Sequence, residues 1–519
     1  MAIIYGDRES RLLLPPSIED YVGESDPVRV YDAFIDSISI EELEIKVEEN
    51  EVGAPVYDPR AMLKLLVYGY SYGIRSSRKL ERACHHNMSF VWLVGGLKPD
   101  YRTISRFRNN NKKALKELLK LCAHLCIRLK LIEGNVLFVD SSKFRANASL
   151  SQTWSEGKCR RVLERLEMRI EEILESCKEI DEEEERLPSL VEMEKELANK
   201  EKLRKKVEGI LGELLRRGGG GGGGGGGGEG KEYRNGDGDG DGDGDGNGNG
   251  NKKEKEREGK KIERMNSTDR MCVRTKGRQG IHAGYTAEMV TDEKHGLIVH
   301  NEVVSESNDC NQLSRQVQGA EEVLREEVDA VCGDNGYWQV DDLEKISARG
   351  TMVVVPGRKE SSRKGLGEFD RENFRYDSKK DEYICPEGNR LRFTRVAKKD
   401  NAREYKIKKK EICIECKHYG QCTKSKVGRR LQRLINEEVK EELEAIYASP
   451  EGQKIYQLRK EKAELPFGHI KRNLGAGYFL LRGIDGVNAE MSMLSTCFNI
   501  SRMITLVGIS ELLRYFAGI

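Results

Sequence analysis

The chain has 519 residues and a formal net charge of only +1, because 89 Lys and Arg nearly balance 88 Asp and Glu. That length allows more than one domain and a substantial core. No stretch of 18 apolar residues occurs, so we expect no membrane span, and the charged first residues predict no signal peptide. The 13 cysteines are scattered and odd in number, which is typical of reduced thiols in the cytoplasm.

Residues 1–130 are predicted to form an all-α domain. Apolar residues recur at helical spacing after Val28 and again after Asp58. A later short helix is predicted to carry a basic face, formed by Arg102, Arg106 and Arg108. These arginines are candidates for phosphate contacts in a helix-turn-helix-like module. A solvated helix in an ordinary bundle explains the same pattern equally well.

A continuous apolar run, Val136 to Val139, ends in Asp140 and two serines. Such a run is typical of a strand buried on both faces. A carboxylate at its end lies where an open sheet offers a crevice to ligands. Residues 131–154 are therefore predicted to hold the first strand of a catalytic domain.

Two unusual segments follow that strand. Residues 155–217 alternate apolar positions four and three apart, with a break at Pro188, which predicts an antiparallel coiled-coil hairpin used for packing or self-association. Residues 218–260 contain eleven consecutive glycines and then Gly alternating with Asp or Asn. Because glycine is costly to order and nothing apolar compensates, this segment is predicted to be a disordered linker. The repeated Asp and Gly resemble a calcium-binding loop only superficially, because the segment lacks the hydrophobic anchors and the terminal Glu of such a loop.

Residues 261–357 are predicted to continue the catalytic domain. Two strand-like runs on either side of a polar loop at 291–296 indicate a β-hairpin, and a helix is expected next. A short buried strand, Val328 to Cys332, leads into Asp334, and another strand precedes Pro356. This order of elements is typical of a mixed α/β layer.

Residues 358–435 are polar, basic and cysteine-bearing. From Arg390 to Arg433 there are 16 Lys and Arg against 4 Asp and Glu, which suits a phosphate backbone or simply a solvated face. Four thiols are possible zinc ligands: Cys385, Cys413, Cys416 and Cys422. The alternative is a small β-subdomain with reduced cysteines.

Residues 436–519 are predicted to form C-terminal helices, among them one carrying Tyr456, Arg459, Glu464 and Lys471. Glu464 and Lys471 are seven residues apart, so they share a helix face, and Gly468 between them leaves room for a ligand. A lone acid on a helix is usually solvated. It gains a role if it faces Asp140 and Asp334, because three carboxylates can hold two divalent cations for phosphodiester cleavage.

These motifs, in this order, resemble the DDE transposases of prokaryotic insertion sequences. The last one resembles the Tyr-Arg-Glu-Lys signature, although four residues rather than the common three separate Arg459 from Glu464. Glu461 is the weaker candidate for the third acid, because no lysine lies seven residues beyond it. The other matching stretches are Asp140–Lys143 with Ala146–Ser149, Asp334–Tyr337, and Pro99–Arg108.

The resemblance implies a ribonuclease-H-like mixed sheet with Asp140, Asp334 and Glu464 as catalytic and metal-binding residues. It implies Mg²⁺ or Mn²⁺ as cofactor and DNA as partner, both terminal inverted repeats and target, with Lys471, Arg459 and Tyr456 toward the phosphates. A homodimer in the synaptic complex and a nucleoid-associated location are also implied. Since all three acids are present, we expect strand cleavage and strand transfer.

Two other functions remain open from the sequence. One is a catalytically retired, transposase-derived DNA-binding protein. The other is a structural coiled-coil protein in which the acids are merely solvated. The intact acids argue against the first alternative, and the order of α/β elements argues against the second.

Overall fold

The structure is a computed structural model that describes residues 17–45, 56–181, 188–218, 264–277, 280–306, 308–357, 367–397 and 401–518. The glycine-rich segment predicted to be a disordered linker lies outside the described residues, apart from its first residue. The side chains of residues 176–194 are also outside, and with them part of the predicted coiled-coil seam.

Helices and strands alternate along most of the described chain. The α-helices are α1 (Val28–Asp36), α2 (Pro59–Ser71), α3 (Ser77–His86), α4 (Met88–Leu93), α5 (Tyr101–Asn110), α6 (Lys112–Arg128), α7 (Glu156–Asp181), α8 (Pro188–Gly218), α9 (Leu313–Leu324), α10 (Val340–Ser347), α11 (Glu411–Ile414), α12 (Glu437–Ala448), α13 (Pro450–Arg472), α14 (Ile484–Val507) and α15 (Ile509–Ala517). The strands are β1 (Val136–Arg145), β2 (Thr153–Ser155), β3 (Arg264–Asn266), β4 (Val273–Gly277), β5 (Gly280–Asp292), β6 (Ile298–Val304), β7 (Ala330–Cys332), β8 (Met352–Val354), β9 (Arg375–Asp377), β10 (Glu382–Ile384), β11 (Arg390–Ala397), β12 (Ala402–Ile407) and β13 (Arg430–Leu434).

The main sheet has six strands with β1 at its centre. The neighbours run in the order β6, β5, β1, β7, β8, and β4 pairs with the first residues of β5. β1 is antiparallel to β5 and parallel to β7, which is parallel to β8. The central position follows from the sequence, because Leu137, Phe138 and Val139 are all fully buried. The predicted mixed α/β layer and the predicted β5–β6 hairpin are confirmed.

The long segment between β1 and β5 leaves the sheet pairing intact. β1 pairs with β5 over nine residue pairs, from Leu137–Asp292 to Arg145–Gly284. A two-stranded ribbon of β2 and β3 brings the departing and returning chain together. The two long helices α7 and α8 pack against this ribbon through a small hydrophobic cluster that includes Trp154, Val207 and Leu214. The insertion is therefore attached at one place on the surface. Leu203, which was predicted to lie in the seam, is exposed.

The N-terminal helices and the sheet share one hydrophobic core. Helix α14 is buried along most of its length and packs against α2, α6 and β6. Arg75, between α2 and α3, forms a buried ion pair of 3.0 Å with Glu490 of α14. Arg75 also donates to the carbonyl oxygens of Gly475 and Tyr478. The boundary near residue 130 and the other domain limits stay predictions.

A second sheet lies within the predicted basic insertion. It is fully antiparallel, in the order β13, β12, β11, β10, β9, with its own core around Tyr405. Two nearly buried acids, Glu382 and Glu404, pair with exposed arginines of this sheet. Part of the positive charge counted in the sequence is therefore neutralised locally.

Among the described helices, none alone is long and apolar enough to cross a membrane. Helices α14 and α15 meet that criterion only together, as a pair bent by 105°, by length and composition.

Candidate active site

Asp140 and Asp334 lie next to each other where the pairing of β1 with β7 ends. β1 and β7 run parallel, with Phe138 opposite Cys332, so each aspartate follows two residues after a paired position. Asp334 begins a 3-10 turn, and its Oδ1 accepts the backbone N–H of Gly336 at 2.8 Å. β1 continues to Arg145, so Asp140 lies within the strand rather than at its predicted end, just beyond the residues that pair with β7. There it lies next to Asp334, which follows the end of β7.

The guanidinium of Arg459 lies between these two acids. Its Nη2 is 2.8 Å from Asp140 Oδ1 and 3.6 Å from Asp334 Oδ2. Arg459 is only 9% exposed, and among the described residues its Nε has no hydrogen-bond partner. Helix α13 thus brings one fixed positive charge into a pair of carboxylates.

Burial dominates the ionisation of Asp140. Desolvation raises the pKa of Asp140 to about 6, even though the Arg459 cation lowers it. The negative charges of Asp334 and Glu464 raise it further. A nearby cation therefore strongly stabilises the ionised form of Asp140.

Glu464 is exposed on α13, five residues after Arg459 and seven before Lys471. Its charge acts on Asp140, which makes it part of the same electrostatic site. Within the described residues it forms no hydrogen bond or ion pair. Glu461, the weaker candidate, is exposed and pairs with Lys462. The role of Glu464 as the third acid stays a prediction.

Lys471 fastens the far end of α13 to β1. Its Nζ donates to Ser142 Oγ at 2.5 Å and to the Lys143 carbonyl at 3.0 Å, and it stands over the ring of Phe144. Between the two anchors Gly468 faces open space, because a β-carbon there would meet nothing within 4 Å. Tyr456 is half-buried and packs against Tyr447 rather than toward solvent. The DNA contacts predicted for these residues stay predictions.

Two known protein families match parts of the chain. Residues 16–110 match the family described as "Transposase domain (DUF772)". Residues 384–504 match the family described as "Transposase DDE domain", and this second match includes Arg459, Glu464 and Lys471. The chain belongs to the DDE transposases of insertion sequences. No curated protein and no solved structure matches it.

Two further acids of the transposase lie close to Asp140 and Asp334, and neither was predicted from the sequence. Asp309, which follows β6, accepts the hydroxyl of Ser141 on its Oδ1 at 2.7 Å. Glu288, in the middle of β5, is fully buried and accepts the hydroxyl of Tyr337. A glutamate within an otherwise apolar strand, and an acid just after a strand end, were the available signals.

The environment of these two acids is strongly negative. Burial raises the pKa of Glu288 well above its usual range, and the charge of Asp309 raises it further. Burial also raises the pKa of Asp309, against the hydrogen bond from Ser141. One oxygen of Glu288, Oε1, is buried without a hydrogen-bond partner among the described residues.

This donor set suits a hard divalent cation, since every candidate ligand is a carboxylate oxygen. A gap at Gly336 lies between Asp309 and Asp334, and a β-carbon would fill it. As the side chains stand, no three His, Cys, Asp or Glu in the described ranges are arranged to hold a metal ion. Arg459 occupies the space between the two aspartates, and Glu464 points outward.

The predicted basic helix is α5, and it needs one correction. Arg102 and Arg106 are exposed, and the exposed Arg78 of α3 stacks over Tyr101 beside them. Arg108 is 6% exposed and donates to the Tyr70 hydroxyl and the Arg75 carbonyl. The prediction that Arg108 binds DNA is therefore wrong. Residues two apart on a helix point in nearly opposite directions, so Arg108 cannot share the face of Arg106.

The four possible zinc ligands do come together in the transposase. All are free thiols that line one cavity: Cys385, Cys413, Cys416 and Cys422. The backbone N–H of Asn389 donates to Cys385 Sγ at 3.3 Å. Yet no metal-holding group is found in the part of the chain that the structure describes. Zinc therefore has no support from the geometry and stays a prediction.

Proposed function

We propose that this transposase cleaves DNA at insertion-sequence ends and transfers the freed strand to target DNA, using Mg²⁺ or Mn²⁺ at Asp140, Asp334 and Glu464. One observation carries the proposal: two carboxylates from the neighbouring strands β1 and β7 share one buried positive charge, that of Arg459. Such a pair suits a doubly charged cation better than a single guanidinium.

The catalytic fold we propose is ribonuclease-H-like. The supporting observation is the strand order β6, β5, β1, β7, β8, with β6 and β5 antiparallel to their neighbours and β7 and β8 parallel to β1. In that arrangement the first and fourth strands of the five carry the first and second acids.

When bound, the divalent cations would supply the positive charge that stabilises the attacking and leaving oxygens of the phosphodiester. Asp140, within β1, and Asp334, just after β7, would hold them, with Asp140 ionised. Glu464 would turn inward from α13. Hydrolysis then frees a 3′-hydroxyl, and this hydroxyl displaces a bridging oxygen of the target phosphodiester.

A cation held by both aspartates has to displace Arg459 from them. Its long side chain can then pair with a phosphate of the bound strand, to which a planar guanidinium is well suited. Lys471 lies further along α13, where it donates to Ser142, and it would neutralise a neighbouring phosphate of the DNA. Helix α13 would thus couple DNA binding to opening of the metal site.

DNA would be held at the exposed basic face of α3 and α5. Arg78, Arg102 and Arg106 form this face, and positive side chains of this kind bind a phosphate backbone without reading sequence. We propose terminal inverted repeats and target DNA as the substrates, and a homodimer as the synaptic form. The β9–β13 sheet, with its excess of basic residues, would add further backbone contacts.

The test is Mg²⁺-dependent cleavage of terminal inverted-repeat DNA by the wild-type chain and by Asp140→Ala. We expect cleavage by the wild type only, with equal DNA binding by both in a gel-shift assay. Equal cleavage by the two proteins would exclude the assignment. DNA binding without cleavage by either would favour a catalytically retired DNA-binding protein.

A further inference from the structure

We propose that Asp309 is a fourth carboxylate of the cation site and acts together with Asp334. The inference rests on the proposed function, because it extends the same metal site. It adds a ligand that lies outside the three acids of the matched motifs.

Asp309 is tied directly to the strand that carries the first acid. Its Oδ1 accepts the hydroxyl of Ser141, the residue after Asp140, at 2.7 Å. That hydrogen bond fixes one oxygen of the carboxylate and leaves the other, Oδ2, to face away from Ser141. The half-buried Asp309 side chain therefore has a defined orientation rather than a solvated one.

The second oxygen faces Asp334 across Gly336. A β-carbon on Gly336 would lie 2.9 Å from both Asp309 Oδ2 and Asp334 Oδ1. These two oxygens are therefore within about 6 Å of each other. Two oxygens on one Mg²⁺ or Mn²⁺ ion stand roughly 3–4 Å apart. A small rotation of the Asp309 side chain would bring both oxygens to a shared cation.

Glu288 lies opposite Ser141 in the pairing of β1 with β5, so it stands beside the same acids. It is fully buried, it accepts a hydrogen bond from Tyr337 on Oε2, and its Oε1 has no partner among the described residues. The charges of Asp309, Asp140 and Asp334 all act on it. A buried oxygen without a hydrogen-bond partner is costly, and a cation held by the neighbouring acids would reduce that cost.

Asp309 would therefore hold the cation next to Asp334, on the side of the site away from Arg459. This position matters because Asp334 is held by only one backbone N–H, at Gly336. With a second carboxylate the cation keeps two anionic ligands even while Glu464 turns. Ser141 would act as a positioning residue through Asp309.

The experiment is Mn²⁺ binding to the full-length, DNA-free chain at pH 8, followed by electron paramagnetic resonance. The variants are Asp309→Asn, Ser141→Ala, Asp140→Asn and the matched control Glu306→Gln, an exposed acid three residues away. We expect Asp309→Asn to weaken binding by about 10-fold or more, as loss of a metal ligand or of its support does. Ser141→Ala should weaken it less, and Glu306→Gln should bind like the wild type.

Two results would overturn the inference. One of them leaves the proposed function intact, and the other excludes it as well. If Asp309→Asn binds Mn²⁺ like the wild type while Asp140→Asn does not, Asp309 is not a ligand and the proposed function stands. If Asp140→Asn also binds like the wild type, the proposed function fails as well. Because Ser141→Ala keeps all the acids, a weakened Mn²⁺ affinity in that variant supports the inference even if Asp309→Asn folds poorly.

Discussion

Arg459 Nη2 lies 2.8 Å from Asp140 Oδ1, so helix α13 is joined to the central strand by a buried ion pair. The same nitrogen lies 3.6 Å from Asp334. In the DNA-free protein the guanidinium therefore balances the two aspartates. It also competes with any divalent cation for the same oxygens.

Replacing Arg459 should strengthen metal binding in the absence of DNA. In Arg459→Gln the two aspartates lose their counter-charge, so at pH 8.5 we expect the dissociation constant for Mn²⁺ to fall about 10-fold, the effect of roughly 1.4 kcal/mol. Isothermal titration calorimetry measures this directly. The matched control is Lys460→Gln, which removes an exposed charge from the neighbouring position. Weaker Mn²⁺ binding by Arg459→Gln than by the control would contradict the competition.

Asp140 should reduce the stability of the folded protein above pH 6. Because burial raises its pKa from 3.8 to about 6, the folded state holds the proton more tightly than the unfolded state does. Stability from this group is therefore full below about pH 4 and is lost as the pH rises through 6. In metal-free buffer at pH 8, Asp140→Asn should raise the free energy of unfolding by about 3 kcal/mol. Denaturation in urea at pH 4 and pH 8 checks this, and an equal effect at both pH values would refute it.

The sequence predicted the sheet better than it predicted the polar interior. The apolar run ending in Asp140 and the strand before Asp334 both lie where their patterns indicated, because burial on two faces leaves a continuous hydrophobic signal. Glu288 and Asp309 were missed. Their roles depend on which residues meet across the sheet after folding, and a single chain's periodicity does not carry that information.

Arg108 illustrates the opposite error. Three arginines in seven residues suggested one basic face, but helical geometry separates Arg108 from Arg102 and Arg106. The angle between these side chains was ignored in the prediction, although it follows from their spacing.

The long insertion after β1 was also expected to put the strand pairing at risk. The β2–β3 ribbon removes that threat by closing the insertion at its base.

Arg102 and Arg106 should contribute to DNA affinity through phosphate contacts. In the double variant Arg102→Gln, Arg106→Gln we expect the slope of log K against log salt to become shallower by about 2, close to 0.9 per contact. Fluorescence anisotropy over a salt series measures this slope. Arg108→Gln is the matched variant: it should keep the slope and instead lower the free energy of unfolding by about 2 kcal/mol, because it loses buried hydrogen bonds. An unchanged slope in the double variant would remove the α5 face from the DNA interface.

The most direct test of the three-acid site compares two glutamates on one helix. Glu464→Gln and Glu461→Gln each remove one exposed negative charge from α13, three residues apart. The charge of Glu464 acts on Asp140, whereas Glu461 pairs with Lys462. With Mg²⁺ and terminal inverted-repeat DNA, we expect single-turnover strand cleavage to fall roughly 100-fold or more in Glu464→Gln. Glu461→Gln should cleave at nearly the wild-type rate. Full cleavage by Glu464→Gln, or its loss in Glu461→Gln alone, would contradict the site described for Asp140, Asp334 and Glu464.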